Sequence, residues 1–261
     1  MYLDNLKAGT PWPVKVANIR LMLKTLEGAG KEEQVLHVAT HLGNLVKVSE
    51  TVVVRRRAGE ALVSIIDKMP LSQRNEIAVE LGKGLEIGDY QFSKYIPDYL
   101  GVIMLHLPPR ELDELIADLE KFLGATNGQV AAAVLHTFGI VIENYNIYEG
   151  LFGHSETSEA RMARKYKLVS LIIRGFANYN DIISQEALWT IGMNIFGSEH
   201  LSLDEKYDIF CHCGKRILTL YENRREGELD FFNNAAVLKH IYRFICEYEL
   251  EIGRFNIEEI Q

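Results

Sequence analysis

Five apolar positions recur along this chain at a fixed step of 38 residues. Val54, Phe92 and Val130 are one such series; Ala58, Ile96 and Val134 are another. Leu62, Leu100 and Phe138 follow, then Ile65, Ile103 and Val141, then Ile66, Met104 and Ile142. Within each segment the five positions are spaced by three and four, the spacing of one face of an α-helix. A helical face that returns at this interval cannot be buried by its own repeat and must be covered by the next one. The expected fold is therefore all-α, an α-α superhelix of about five stacked two-helix repeats.

Breakers and caps divide the chain accordingly. Helices are expected near 13–27, 32–48, 51–68, 72–86, 90–106, 109–123, 127–144, 157–176, 180–196, 203–222 and 229–252. The second helix of each pair begins near 51, 90, 127, 180 and 229. Pro70 follows one helix, and Pro108-Pro109 can open another because proline has no N–H to lose in the first turn. Ser202 with Glu205 has the spacing of a reciprocal N-terminal cap. Gly88-Asp89, Asn127-Gly128 and Gly197-Ser198 have turn chemistry. Residues 1–30 look like half a repeat opened by Pro11-Trp12-Pro13, residues 31–143 are regular repeats, and residues 158–261 are divergent ones, all in a single solenoid domain. Gly101 and Gly139 hold equal positions, but the next match, Gly192, lies 53 residues on. The excess falls in an insert over 144–157, where Tyr145, Tyr148, Phe152 and His154 accompany Gly150 and Gly153. Aromatic residues there either plug a groove or fold back over the irregular junction between repeats.

Charge narrows the set of partners. The chain carries a formal −8 at pH 7, whereas nucleic acid is bound largely through phosphate neutralisation by a basic face. The two basic clusters, Arg55-Arg56-Arg57 and the group Arg161, Arg164, Lys165 and Lys167, read as solvated helix surface. Three cysteines are an odd number with no disulfide framework, which fits a reducing compartment. No signal peptide and no span of bilayer length is visible, so a cytoplasmic protein without membrane contact is expected.

The segment Val54-Arg55-Arg56-Arg57-Ala58-Gly59-Glu60-Ala61-Leu62 resembles the second helix of a HEAT repeat. That family favours Val-Arg, two free positions, a small pair and then Ala-Leu. Gly59 replaces the second small residue, and the later repeats carry Phe92-Ser93 and Val130-Ala131 in place of Val-Arg. The resemblance to HEAT and armadillo proteins covers the whole chain as a spacing and one repeat as a motif. It implies second helices lining the concave side, and no activity, since function belongs to sites and not to folds. The His-Glu dipeptides that serve as iron ligands in the HEAT-like deoxyhypusine hydroxylase do not occur here.

On a helical wheel, Arg56 and Glu60 fall opposite the buried stripe of their helix. Following the repeat step leads to Lys94 and Asp98, then to Ala132 and His136, then to Gln185 and Trp189. Two rows result, Glu60–Asp98–His136–Trp189 and Arg56–Lys94–Ala132–Gln185, running along the inner groove. They form either a recognition surface anchored by Trp189 or mere i,i+4 pairs, Arg56/Glu60 and Lys94/Asp98, on solvated helices. An interhelical spacing of roughly 10 Å argues against acid–base chemistry along the row. Cys211-His212-Cys213 cannot converge on one zinc ion within a helix, so these thiols are expected in the core. His37, His41 and His106 are expected as hydrogen-bonded core residues. No phosphate loop, nucleophile elbow or kinase motif is present, and no cofactor or metal is expected. The expected function is a non-catalytic interaction module that binds a protein or peptide along its groove, its oligomeric state undetermined. The alternative is an accessory or regulatory helical segment of a larger bacterial enzyme, linked to nucleotidyltransfer as in long proteins with a cytidylyltransferase-like domain elsewhere; no nucleotidyltransferase motif lies in these residues.

Overall fold

The computed structural model describes residues 6–28, 30–87, 90–125, 127–176, 178–222, 235–254 and 259–260. These residues form helices with no strand among them: α1 (Trp12–Thr25), α2 (Glu32–Val48), α3 (Val52–Ile65), α4 (Leu71–Gly84), α5 (Tyr90–Ser93), α6 (Ile96–Met104) and α7 (Pro109–Lys121). They continue as α8 (Gly128–Glu143), α9 (Tyr145–Phe152), α10 (Ser158–Phe176), α11 (Asp181–Thr190), a π-helical extension (Ile191–Phe196), α12 (Leu203–Glu222) and α13 (Ala235–Glu251). Consecutive helices pair as α2/α3, α4/α6, α10/α11 and α12/α13, while α7 reaches α8 through the short turn at its C-terminal end. The second helices then pack on one another in chain order, α3 on α6, α6 on α8, α8 on α11, and the π-helical extension on α13. Helix α1 lies against α3, as the second helix of a half repeat would. This is the stacked, two-layer arrangement that the 38-residue step requires.

The step is realised in the core. Every register position whose side chain is described is buried, from Val54, Ala58 and Leu62 to Phe138, Val141 and Ile142, with Val130 the most open at 6%. The side chain of Phe92 lies outside the described residues. Each such aliphatic contributes about 1.5–3 kcal/mol by leaving water.

Local signals act as their chemistry dictates. Ser202 N–H donates to Glu205 Oε2 at 3.0 Å while Glu205 N–H donates to Ser202 Oγ at 3.2 Å, a reciprocal cap of α12. Asn127 and Asn180 each accept the N–H two residues on, at 3.0 Å, and so start α8 and α11. The expected helix over 90–106 is instead two pieces, because Pro97 lacks the N–H that a continuous helix needs. The turn at Gly88-Asp89 and the expected start of the last helix at 229–234 lie outside the described residues.

Glycine marks the contact between repeats. A Cβ placed on Gly101 would stand 2.6 Å from Ile140 Cγ2, one on Gly139 2.3 Å from Thr190 Cγ2, and one on Gly192 2.3 Å from Val237 Cγ1. In each case the neighbour belongs to the next second helix, so the three glycines let successive helices approach at one level of the stack.

Arg56, Arg57 and Lys167 are exposed as expected, but one arginine of each basic cluster departs from the solvated surface expected of it. Arg55 is 1% exposed, and its guanidinium donates to Val46 O at 3.0 Å, Lys47 O at 3.2 Å and Ser49 O. It thereby satisfies carbonyls that the C-terminus of α2 leaves open. Arg164 is equally interior. Nε and Nη2 reach Asp113 at 2.6 and 3.1 Å, Nη1 and Nη2 reach Glu156 at 2.7 and 2.8 Å, and Nη1 reaches Tyr145 Oη at 2.9 Å. Lys165 and Lys167 pair with Glu205 at 2.8 Å and Glu120 at 3.0 Å. These cations are consumed within the fold.

The insert is helical over α9 and folds back. Tyr145 and Tyr148 are buried, and Tyr148 Oη donates to Glu156 at 2.8 Å. Of the two alternatives for its aromatics, covering the junction is the one realised by these two tyrosines. His106 is buried with Nδ1 2.9 Å from Val102 O, as expected. His37 and His41 are not core residues: His37 is exposed, His41 half-buried, and their rings meet edge-to-face at 4.9 Å. Cys213 is fully buried and Cys211 only partly. Burial pushes the Cys213 thiol up to about 12, which keeps it protonated and inert. No single described helix is long and apolar enough to cross a membrane; α8 and α9 together have the composition but meet at 57°.

Candidate functional site

The outward face of the second helices carries a groove of about 420 Å³. Its floor is small, made by Pro97, Ala132 and Ala133, all buried. Six of the eight residues expected on the inner rows line it: Arg56 from α3, Lys94 after α5, Asp98 from α6, Ala132 and His136 from α8, and Trp189 from α11. Tyr95 and Glu186 complete the wall. The other two expected residues stand outside it. Glu60 is exposed and bound by Arg57 at 2.8 Å, and Gln185 is exposed on α11.

Across the groove runs a chain of three side chains from three successive repeats. His136 Nε2–H donates to Asp98 Oδ1 at 3.0 Å, and Nδ1–H donates to Glu186 Oε1 at 2.8 Å. Helix axes near 10 Å apart do not prevent this contact, since an imidazole and a carboxylate converging from neighbouring helices span that gap. Burial opposes the charge on His136, but the hydrogen bonds and charges of Asp98 and Glu186 outweigh it and raise its pKa to about 9. The ring is therefore an imidazolium at neutral pH, with both nitrogens occupied.

The remaining groups are held by their surroundings. The Lys94 ammonium lies 5.1 Å from the centroid of the Tyr95 ring. Tyr99 Oη donates to Arg56 O at 3.3 Å, and its ring fills the space above Gly59, fixing α6 against α3. Burial, with Asp98 and Glu60 nearby, pushes the Tyr99 phenol up to about 12. Trp189 is partly buried and packs on the core.

His136 has no nitrogen free to take a proton from a ligand, and the lining holds no serine, threonine or cysteine to act as nucleophile. Asp98 and Glu186 sit at opposite edges of one imidazole and cannot converge on an ion; among the described residues no cluster of three or more His, Cys, Asp or Glu is arranged for a metal.

No family model matches the chain, and no curated protein matches it. Among solved structures the chain is similar to a designed armadillo repeat protein described in complex with the peptide (KR)4. The likeness has a TM-score of 0.39 and 14% identity, and covers 92% of this chain and 97% of that one. The assignment to an all-α stack of armadillo- or HEAT-like repeats stands on the helix packing itself.

Proposed function

We propose that this chain is a non-catalytic interaction module that takes a polypeptide segment in the groove between Arg56 and Trp189. The observation that carries the reading is the groove: about 420 Å³, floored by small side chains, rimmed by charges and ended by one large aromatic. Small residues leave room for a backbone, polar groups fix register, and a rigid tryptophan is the side chain that most often anchors a protein contact. The salt-linked row Asp98–His136–Glu186 ties three repeats together, so the surface is preorganised and a ligand meets little ordering cost. Free Cys211, Cys213 and Cys246 fit a reducing, cytoplasmic setting. No observation on the described residues favours the accessory-enzyme reading over this one.

The test is selection from a random-peptide phage library on the wild type, counter-screened on Ala132→Trp, which fills the floor of the groove. Peptides that bind the wild type and lose Ala132→Trp support the reading. Failure to enrich any sequence, or enrichment that the variant retains in full, contradicts it.

A further inference from the structure

The ionisable groups facing the groove are unbalanced. Arg56, Lys94 and the imidazolium of His136 stand against the two carboxylates of Asp98 and Glu186. In the whole chain acids exceed bases, 36 to 28, so a cationic excess in this groove is a local segregation of charge. The carboxylates are also committed: each spends an oxygen on His136, at 3.0 and 2.8 Å, and nearby Glu60 is bound by Arg57 at 2.8 Å. Arg56 and Lys94 stand 38 residues apart, at one register on neighbouring repeats, at the end of the groove away from Trp189.

We infer that the segment taken by this groove is an acidic peptide, with a carboxylate received between the Arg56 guanidinium and the Lys94 ammonium and an apolar side chain laid against Trp189. This inference rests on the peptide-binding reading and names the chemistry of its partner. A guanidinium fork matches a carboxylate with two parallel donors, and the Lys94 ammonium over Tyr95 adds a second charge-assisted contact. A basic segment would have to compete with His136 for Asp98 and Glu186 while approaching Arg56 and Lys94 with like charge.

Three fluorescein-labelled peptides about nine residues long, roughly 30 Å when extended, test this by fluorescence polarisation. Each carries one central Phe among serines alternating with Glu, with Gln or with Lys. The wild type is expected to bind the Glu peptide about tenfold tighter than the other two, and this preference should shrink as salt is raised. The exposed pair Arg56→Glu with Lys94→Glu should reverse the preference, and Trp189→Ala should weaken the Glu peptide about tenfold while leaving its salt dependence. Circular dichroism confirms that each variant is folded. Preferential binding of the Lys peptide, lost in Asp98→Asn with Glu186→Gln, would overturn the acidic partner and leave the peptide reading intact. Glu-peptide binding indifferent to the Arg56/Lys94 change would overturn it as well. No measurable binding of any of the three, with phage-selected sequences also failing, would remove both readings together.

Discussion

His136 Nε2 lies 3.0 Å from Oδ1 of Asp98, a residue one full repeat of 38 positions earlier in the chain. The period of the sequence is thus closed by a hydrogen bond in the fold. The other edge of the same ring holds Glu186 of the following repeat at 2.8 Å, so one imidazolium ties three second helices across the groove.

That tie has a pH signature. His136 is raised from 6.5 to about 9, so its stabilisation is fully present below pH 6.5 and is lost as pH rises through about 9. The shift corresponds to a contribution on the order of 3 kcal/mol. Urea unfolding of the wild type and His136→Gln at pH 7 and pH 10 should show a difference in stability at pH 7 that largely vanishes at pH 10. A difference of equal size at both values would assign the effect to packing and not to charge.

The glycines at the repeat contacts predict a different pattern. Gly139→Ala places a methyl 2.3 Å from Thr190 Cγ2 and should cost about 1–3 kcal/mol through overpacking. Gly124→Ala, at a site with no neighbour within 4 Å of the new methyl, should be close to neutral. Thermal melts of the two variants compare them directly, and equal melting temperatures would mean that the helices do not approach at Gly139.

Arg164 is the pin of the insert. Its hydrogen bonds, and then its charge, hold the Glu156 carboxyl below the usual carboxylate range. Removing it as Arg164→Met leaves the buried Glu156 carboxylate without its cation and should cost about 3–5 kcal/mol. Limited proteolysis should then cut within residues 144–157 long before the wild type is cut there. Because the Glu156 shift is downward, its contribution in the wild type holds at neutral pH and is lost as pH falls through its depressed pKa.

Much of this architecture is legible in the sequence because each repeat solves the same packing problem. Ala58, Ile96 and Val134 are apolar at one register since each is fully buried at the same level of its own repeat. The groove row is legible for the same reason: Asp98 and His136 share a register, and the wheel sets both opposite the core. Their direct contact is less so, since a spacing between helix axes says nothing of side chains that lean toward each other. Glu186 is missed because the step into the fourth repeat crosses the insert, and counting from Ala132 lands on Gln185, one residue short. Arg55 and Arg164 read as surface because charge in a helix normally is. Their partners are carbonyls of the preceding helix in one case and acids 8 and 51 positions away in the other, and no helical spacing connects them.

The proposed function requires that the groove take a ligand, and the chain carries its own reporter. It has two tryptophans, Trp12 at the start of α1 and Trp189 in the groove wall. A ¹H–¹⁵N correlation spectrum therefore shows two indole N–H signals, assigned with Trp12→Phe, to be followed while a library-selected peptide is added. The expected result is a saturable shift of the Trp189 signal with the Trp12 signal unmoved. A peptide that binds while the Trp189 signal stays in place would contradict the account.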